Sequence, residues 1–583
     1  MNKESLKSLA KKEWRIPYED KIMRVIRAFT LTEKTIFLFF TGLLIASGLS
    51  LLYQVNSLFL VEVPDYGGTL VEGVVGSPRF INPLLASSDV DKDLSSLIYS
   101  GLLRINSEGE LVPDIAESFT VSEDGLNYNF VLKDNLYFHD GTRLTVDDVV
   151  FTVEKAQDSS LKSPREANWS GVQVEKISEK QISFTLKQPY SPFIQNMTLG
   201  ILPKAIWKNV SVEEFPFSKF NTNPVGSGHY KVDSVVYSSS GLPAEYHLTS
   251  FDKYALGKAY ITNFILKTYQ NEKDIIDAYS NGDIDNLHGI SPKLLKNIQT
   301  KGDVVVLSPL PRIFGVFFNQ NVAPVFVYKE VRNALDIAAD KQAIIDSVLG
   351  GYGQIIDGPV PLKTVGSANS NVLSEDERVE KAQAELLAKG WKQNSDGIFE
   401  KKEKNSTITL AFSVSTGNAP ELKEAAILLQ KQWEKIGAKV EVKIFEIGDL
   451  NQNIIKTRKY DSLLFGEIIG RDVDLYPFWH SSQRNSPGLN IALYTNLKVD
   501  KVLESIRKTT NNVDQKKLLE NFSSEIANDI PAVFTYSPYF LYVIPEKLHN
   551  VKLGMITNSS ERFSDIHEWY IETNNIWEFF DKN

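Results

Sequence analysis

From Thr35 to Val61 the chain runs for 27 residues without an Asp, Glu, Lys or Arg, including the stretch TIFLFFTGLLIASGLSLLYQ. At 1.5 Å per residue, a helix of this length crosses the ~30 Å hydrocarbon core of a bilayer. Any globular fold must therefore be built almost wholly from the residues C-terminal to Val61. The 34 residues before Thr35 hold nine Lys/Arg against five Asp/Glu, a net of +4, whereas residues 62–583 hold 54 against 68, a net of −14. Positive charge stays on the cytoplasmic side. The expected layout is a cytoplasmic segment at 1–34, an anchor at 35–61 and the remainder outside. Ala46-Ser47-Gly48 loosely resembles a signal-peptidase site, so a cleaved signal is the competing reading. The long leader and long apolar core favour the uncleaved anchor. No second run of this kind occurs, so the chain is not itself a channel or permease.

The acidic exterior argues against a nucleic-acid partner. With no cysteine in the chain, a disulfide framework, a thiolate metal site, a cysteine nucleophile and a lipidated cysteine are all excluded. The seven histidines form neither H-x-x-x-H nor H-E-x-x-H, and no phosphate loop or nucleophile elbow is present. No cofactor or metal is expected.

Local patterns outline an α/β fold. Residues 62–67 read as a short tether. LNYNFVLKD and KQISFTLKQ alternate at period two, as half-buried strands do. In LYFHDGTRLTVDDVVFTVEKA (136–156), Asp140-Gly141 marks a tight turn. Thr145 stands at a helix N-cap, Asp148 sits in the capping-box position, and Val146, Val149, Val150, Val153 and Ala156 share one helical face. This accounts for every polar residue there except His139, a weak metal-ligand candidate without a partner at ligand spacing. Helices are expected over EVRNALDIAADKQAIIDSVLGG and APELKEAAILLQKQWEKIG. In the latter Leu422, Ala425, Ala426, Leu429, Trp433 and Ile436 form the apolar stripe, Gly437 ends the helix and KVEVKIFEI comes next as a strand. Helix feeding strand in this way suggests sheets covered by helices.

The order of these patterns resembles the bacterial extracellular solute-binding proteins of family 5, the peptide, oligopeptide and nickel binders of ABC importers. The resemblance rests on GGTLVEGVVGSPRFINPLLA, on the long block from IYSGLLRINSEGELVPDIAESF through VVFTVEKA, and on NPVGSGHYKV, YSNGDIDNLHGI, FFNQNVAPVFVYKEVRNALDIAADKQAII and DVDLYPFWHSSQ. It implies a two-lobed, periplasmic-binding-protein-like α/β fold with an extra outer subdomain on the first lobe, behind the N-terminal transmembrane helix. The first lobe would span 67–310, with the outer subdomain at about 107–225, and the second 311–530. Residues 531–583 would return to the first lobe. The strand–turn–helix at 136–156 then belongs to the outer subdomain.

FGEIIGRDVDLYPFWHSSQ (465–483) gathers Glu467, Arg471, Asp472, Asp474, Trp479 and His480 in a segment poor for helix or strand, as a loop would. On composition it reads equally as a solvated loop with an aromatic anchored in the core. The resemblance places it at the ligand cleft and makes Asp472 the match for the aspartate that meets a peptide's ammonium group. Val473 and Leu475 stand where the family's turn usually carries prolines, and the tryptophan often found before the aspartate is missing, which leaves the ligand's class open. Asn319, closing the apolar run IFGVFFN, is a rim candidate or a loop cap. Tyr536 and Tyr539 either line the returning hinge or belong to the core. The resemblance implies a membrane-anchored receptor that hands a small peptide or similar solute to ABC permease and ATPase subunits, and no reaction. Two other classes stay open: a hydrolase using Glu467 with Asp472 or Asp474, and a sensor acting through its cytoplasmic segment.

Overall fold

The segment AVFTYSPYFLYVI, Ala532–Ile544, is rich in aromatic and β-branched residues and buried along most of its length, as a strand with sheet on both sides should be. In the computed structural model, which describes residues 19–295, 298, 303–360, 373–404, 406–509 and 511–580, this strand is the axis of a two-lobed α/β architecture. Its first half pairs antiparallel with Arg312–Phe318 and its second half with Val304–Pro309. The chain between those two partners, through Pro309, Leu310 and Pro311, crosses from one lobe to the other alongside it. On the first-lobe side the sheet continues through Asn286–His288, Gly67–Val75, Ile261–Tyr269, Pro243–Ser250 and Tyr230–Tyr237. On the other side it continues through Ser462–Ile468, Ala411–Gly417 and Lys439–Phe445.

The expected helix on APELKEAAILLQKQWEKIG is Pro420–Lys435, the crossover between the parallel strands Ala411–Gly417 and Lys439–Phe445. Ala425, Ala426, Leu429, Trp433 and Ile436 are buried, and Gly437 comes next with φ 95°. The 329–349 region differs from its uniform helical pattern. It breaks into Lys329–Ala338 and Lys341–Leu349 because the Asp340 side chain caps the second helix, accepting from the Ala343 N–H at 3.0 Å.

A separate four-stranded antiparallel sheet holds both alternating segments: Asn127–Leu132 pairs directly with Gln181–Thr185, flanked by Ala116–Val121 and Gln173–Lys176. Beside it the helix Val146–Gln157 begins where Asp148 accepts from the Thr145 backbone N–H (2.9 Å) and hydroxyl (2.8 Å). The second Asp148 oxygen binds the Lys204 N–H. His139 is structural. Its Nδ1 accepts from the Gly226 N–H at 3.3 Å, its Nε2 donates to the Gly228 carbonyl at 3.2 Å, and burial pushes it down to about 4, which keeps it neutral.

One ionic cluster lies fully inside the first-lobe sheet layer. Arg562 donates to Glu72 (2.6 and 2.9 Å) and to Asp93 (2.8 and 2.9 Å), and all three side chains are 0% exposed. Asn286 and the Tyr542 hydroxyl complete Glu72, and His288 meets Asp93 at 3.2 Å. The strand Gly67–Val75, the helix Asp89–Ile98 and the C-terminal segment are thereby tied together. Burial raises the Asp93 carboxyl, but the Arg562 charge and its hydrogen bonds outweigh this and hold it well below the usual range.

The N-terminal region forms a compact unit of its own with the last residues of the chain. The helix Leu31–Leu58 is long and apolar enough to cross a membrane and starts at a Thr30/Glu33 capping box. The tether expected at 62–67 is instead largely strand: Leu60–Pro64 pairs antiparallel with Thr573–Trp577, and Trp577 Nε1 donates to Asn56 at 2.9 Å. Local alternation could not reveal this pairing because the partner lies about 500 residues away. Residues 1–18 of the expected cytoplasmic segment lie outside the described residues.

Candidate binding cleft

The strand Ser462–Ile468 ends at the sheet edge, where the Ile469 N–H bonds the Pro311 carbonyl at 2.8 Å. The chain then turns sharply through Gly470-Arg471-Asp472-Val473, closed by the Val473 N–H to the Gly470 carbonyl at 3.0 Å. Val473 holds φ 51°, a costly conformation for a β-branched residue. It is retained because Val473 and Leu475 are anchored in the core beneath. A Cβ at Gly470 would lie 2.4 Å from Asp472 Oδ1, so a side chain there would force the Asp472 carboxylate to turn away. These restraints hold Gly470, Arg471 and Asp472 against a cavity of about 900 Å³. Its opposite wall comes from residues 165–198, including Arg165, Tyr190 and Phe193, and its end from Thr557, Asn558 and Glu561. A volume of that order suits a ligand of several hundred daltons.

Arg471 spans the cavity. Its Nη1 donates to the Gly109 carbonyl at 2.9 Å and its Nη2 pairs with Glu561. Glu561 is preset for this contact, since it also accepts from the Thr557 N–H (2.8 Å) and Asn558 Nδ2 (3.0 Å). Gly109 has φ 82°, and a Cβ there would come within 2.7 Å of Arg471 Nη1. A second crossing contact joins Asp474, Arg507 and Tyr190. Arg507 binds the Asp474 carboxylate through two nitrogens at 2.6–3.1 Å, lies 4.0 Å over the Tyr476 ring, and the Tyr190 hydroxyl reaches Asp474 at 3.5 Å.

Among the described residues Asp472 has no ion pair, because Arg507 is bonded to Asp474. Burial, reinforced by the Asp474 charge, pushes its carboxyl up to about 6, and backbone N–H groups of its own turn together with the nearby Arg507 charge offset only part of this. The arrangement is a partly enclosed carboxylate facing a cavity with no directly bonded counter-ion among the described residues. A ligand cation would complete it.

The other residues singled out in sequence are placed elsewhere; none lines this cavity. Glu467 faces the same side of the sheet as its strand partner Ile313, 3% exposed, and neither carboxyl oxygen has a hydrogen-bond partner among the described residues. Burial raises it far above the carboxylate range. Paired-carboxylate hydrolysis therefore lacks its geometry, with Glu467 enclosed and Asp474 held by Arg507. Trp479 is a core anchor among Phe317, Phe522 and Phe534. His480 stacks on Tyr476 at 4.0 Å and bonds Ser482. Asn319 caps its own loop, donating to the Arg458 carbonyl (3.0 Å) and accepting from the Asn321 N–H (3.2 Å). Tyr536 is buried and stacked on Phe314 at 4.9 Å, and the Tyr539 hydroxyl reaches Gln354 at 3.4 Å, both on the strand shared by the lobes. Arg165, Tyr190, Arg507 and Glu561 were not foreseen from the sequence. Each comes from a distant segment and looks locally like an ordinary solvent-facing residue; Arg507 in particular reads as a basic residue suited to a helix C-terminus.

Residues 110–487 match the middle section of the bacterial extracellular solute-binding proteins, family 5. The oligopeptide-binding protein AppA of Bacillus subtilis (strain 168) is 28% identical over 516 residues, covering 87% of this chain and 92% of AppA. The structure of AppA in complex with a nonapeptide superposes with a TM-score of 0.61 over 88% of this chain and 100% of that one, at 27% identity. The ABC transporter substrate binding protein CtaP of Listeria monocytogenes gives 0.70 at 26% identity, over 87% of this chain and 100% of CtaP. NikZ of Campylobacter jejuni, solved with Ni(L-His), gives 0.63 at 27% identity, over 86% of this chain and 99% of NikZ. The chain belongs to the bacterial extracellular solute-binding proteins of family 5.

Proposed function

We propose that this protein is a membrane-anchored, extracytoplasmic receptor that captures peptides in the cleft and delivers them to the permease of an ABC importer with its ATPase subunits. The observation that carries the reading is Asp472, a carboxylate with no ion pair among the described residues, on the wall of a cavity of about 900 Å³ between lobes. A peptide's α-ammonium supplies the missing charge. Main-chain groups and bridging water supply the rest of the affinity. We assign the first lobe to 67–310 with its outer subdomain near 107–225, the second to 311–530, and the return to 531–583. The shared strand Ala532–Ile544 and the crossing at Pro309–Pro311 support a hinge between them.

Calorimetry on wild type and Asp472→Asn, each with a free-amine peptide and its N-acetylated form, tests the assignment. The two changes should each weaken binding by about one to three orders of magnitude, and together by little more than either alone. Additive losses would show that Asp472 and the ammonium do not meet. For the anchor, the +4 leader and −14 remainder support an inside N-terminus. Protease added to intact cells should remove the bulk of the chain and leave a short protected fragment. A mature protein starting near Leu49 would overturn the anchor.

A further inference from the structure

The ribbon of Leu60–Pro64 and Thr573–Trp577 stands as a two-stranded sheet of its own among the described residues. A lone pair of strands is marginal in water. Its composition changes along its length. The two pairs next to the apolar helix, Leu60 with Trp577 and Val61 with Ile576, are apolar. The next three, Glu62 with Asn575, Val63 with Asn574 and Pro64 with Thr573, each bring in a polar residue. There the Thr573 hydroxyl donates to Glu62. Polarity that alternates across a strand marks a sheet lying on a core. A gradient along both strands instead marks a boundary that they cross.

The contacts at the helix end fix the level of that boundary. Trp577 Nε1 donates to Asn56 at 2.9 Å, the Trp577 ring lies 6.3 Å from that of Phe59, and the Glu578 N–H bonds the Phe59 carbonyl at 2.9 Å. About 20 helical residues cross the hydrocarbon of a bilayer. Counted from Thr35, where the uncharged run begins, they end near Gln54. Asn56 and the Trp577 that bonds it therefore fall at the outer lipid–water boundary, where an aromatic ring with a polar N–H is favoured. Trp577 is 50% exposed and Phe579, in the turn Glu578–Phe580, 89%. With the exposed Leu58 and Phe59 they extend the apolar surface of the helix itself. Glu578, between the two rings, is exposed as well, which keeps the immersion shallow.

We propose that the C-terminal end of the chain is a second membrane contact: Trp577 and Phe579 lie in the headgroup layer of the outer leaflet and clamp the exit of the anchor helix, with the lipid surface as their partner. The proposal rests on the uncleaved-anchor reading and goes beyond it, since the helix alone would hold the chain in the membrane.

Because the chain has no cysteine, Glu578→Cys and Asn574→Cys each offer one site for a small fluorophore in the full-length protein, and both positions are exposed. They stand up to about 14 Å apart along the chain. Each labelled protein is reconstituted into phosphatidylethanolamine–phosphatidylglycerol vesicles containing lipid with a doxyl group close to the headgroup, and iodide on both faces serves as the aqueous quencher. The label at 578 should be quenched by the doxyl lipid about threefold more than the label at 574, and by iodide about threefold less. Adding Trp577→Ser and Phe579→Ser should bring the label at 578 to the values at 574, which shows that the rings and not the label set the depth. Equal quenching at the two positions in the wild-type background, or a label at 578 that keeps its depth without the rings, overturns the proposal. So does a label at 578 shielded from iodide and doxyl lipid alike, which would mean that a second copy of the chain covers this end. Flotation with the vesicles reports the anchor separately. A chain that floats while the labels fail leaves the anchor standing, whereas a full-length chain that does not float overturns the anchor reading and the proposal with it.

Discussion

Replacing Asp472 with Asn should weaken ligand binding and at the same time make the unliganded protein more stable. The folded-state carboxyl titrates at about 6 against an ordinary value of 3.8. The folded state therefore holds the proton more tightly than the unfolded chain, and stability falls as pH rises through that window. Above it the full cost of charging the buried group is present. At 1.36 kcal/mol per pH unit that cost is about 3 kcal/mol, and solvent at the partly exposed side chain reduces it to about 2. With an unfolding entropy near 2.1 cal/mol/K per residue, about 500 residues give roughly 1 kcal/mol per degree. Asp472→Asn should thus melt about 2 °C above wild type near pH 7 and with no difference near pH 4. Scanning calorimetry at the two pH values, without peptide, measures both. If the variant melts lower than wild type near pH 7, or differs equally at both, the carboxylate is a structural cap of its own turn and has no missing cation to explain.

Arg562→Met strips Glu72 and Asp93 of their shared cation and should cost about 3–5 kcal/mol, seen as a fall of about 3–5 °C in melting temperature; the loss should shrink as pH drops and Asp93, held low chiefly by Arg562, protonates. Glu561→Gln removes the charge that Arg471 meets across the cleft. It should weaken peptide binding about tenfold, mainly through faster release in stopped-flow measurements, with small-angle scattering showing a larger mean radius of gyration at saturating peptide. Gly109→Ala should give the same phenotype without any change of charge, because its Cβ would lie 2.7 Å from Arg471 Nη1 at a backbone φ of 82°; equal release rates in Gly109→Ala and wild type would show that the contact does not hold the lobes together.

Elements defined by nearby residues were legible in the sequence. The helix after Thr145 and the strands at Asn127–Leu132 and Gln181–Thr185 emerge from spacing alone, because capping and pleat alternation operate over a few residues. Asp340 shows the limit of that reasoning: the apolar pattern ran on across it, while its carboxylate offered the backbone a cap and broke the helix. The ribbon between Leu60–Pro64 and Thr573–Trp577 carries no local signature of its partner. The 465–483 segment was recognisable as a loop with chemistry on it, yet its residues diverge because strand alternation and the Val473 turn send them to different environments. Glu467 points into the core, Trp479 packs beneath the loop, and Arg471 and Asp472 reach the cavity. Arg165, Tyr190 and Glu561 became visible only when the chain brought them across from it.

The central claim is that this cleft encloses a peptide, and mass spectrometry of the gently purified full-length protein tests it most directly. Under native conditions a population should carry bound mass that resolves, on denaturation, into short peptides with free amino termini, and that population should be depleted in Asp472→Asn. A wild-type protein that carries a metal complex, a sugar or another solute without an ammonium group, at the same occupancy in the variant, would contradict it.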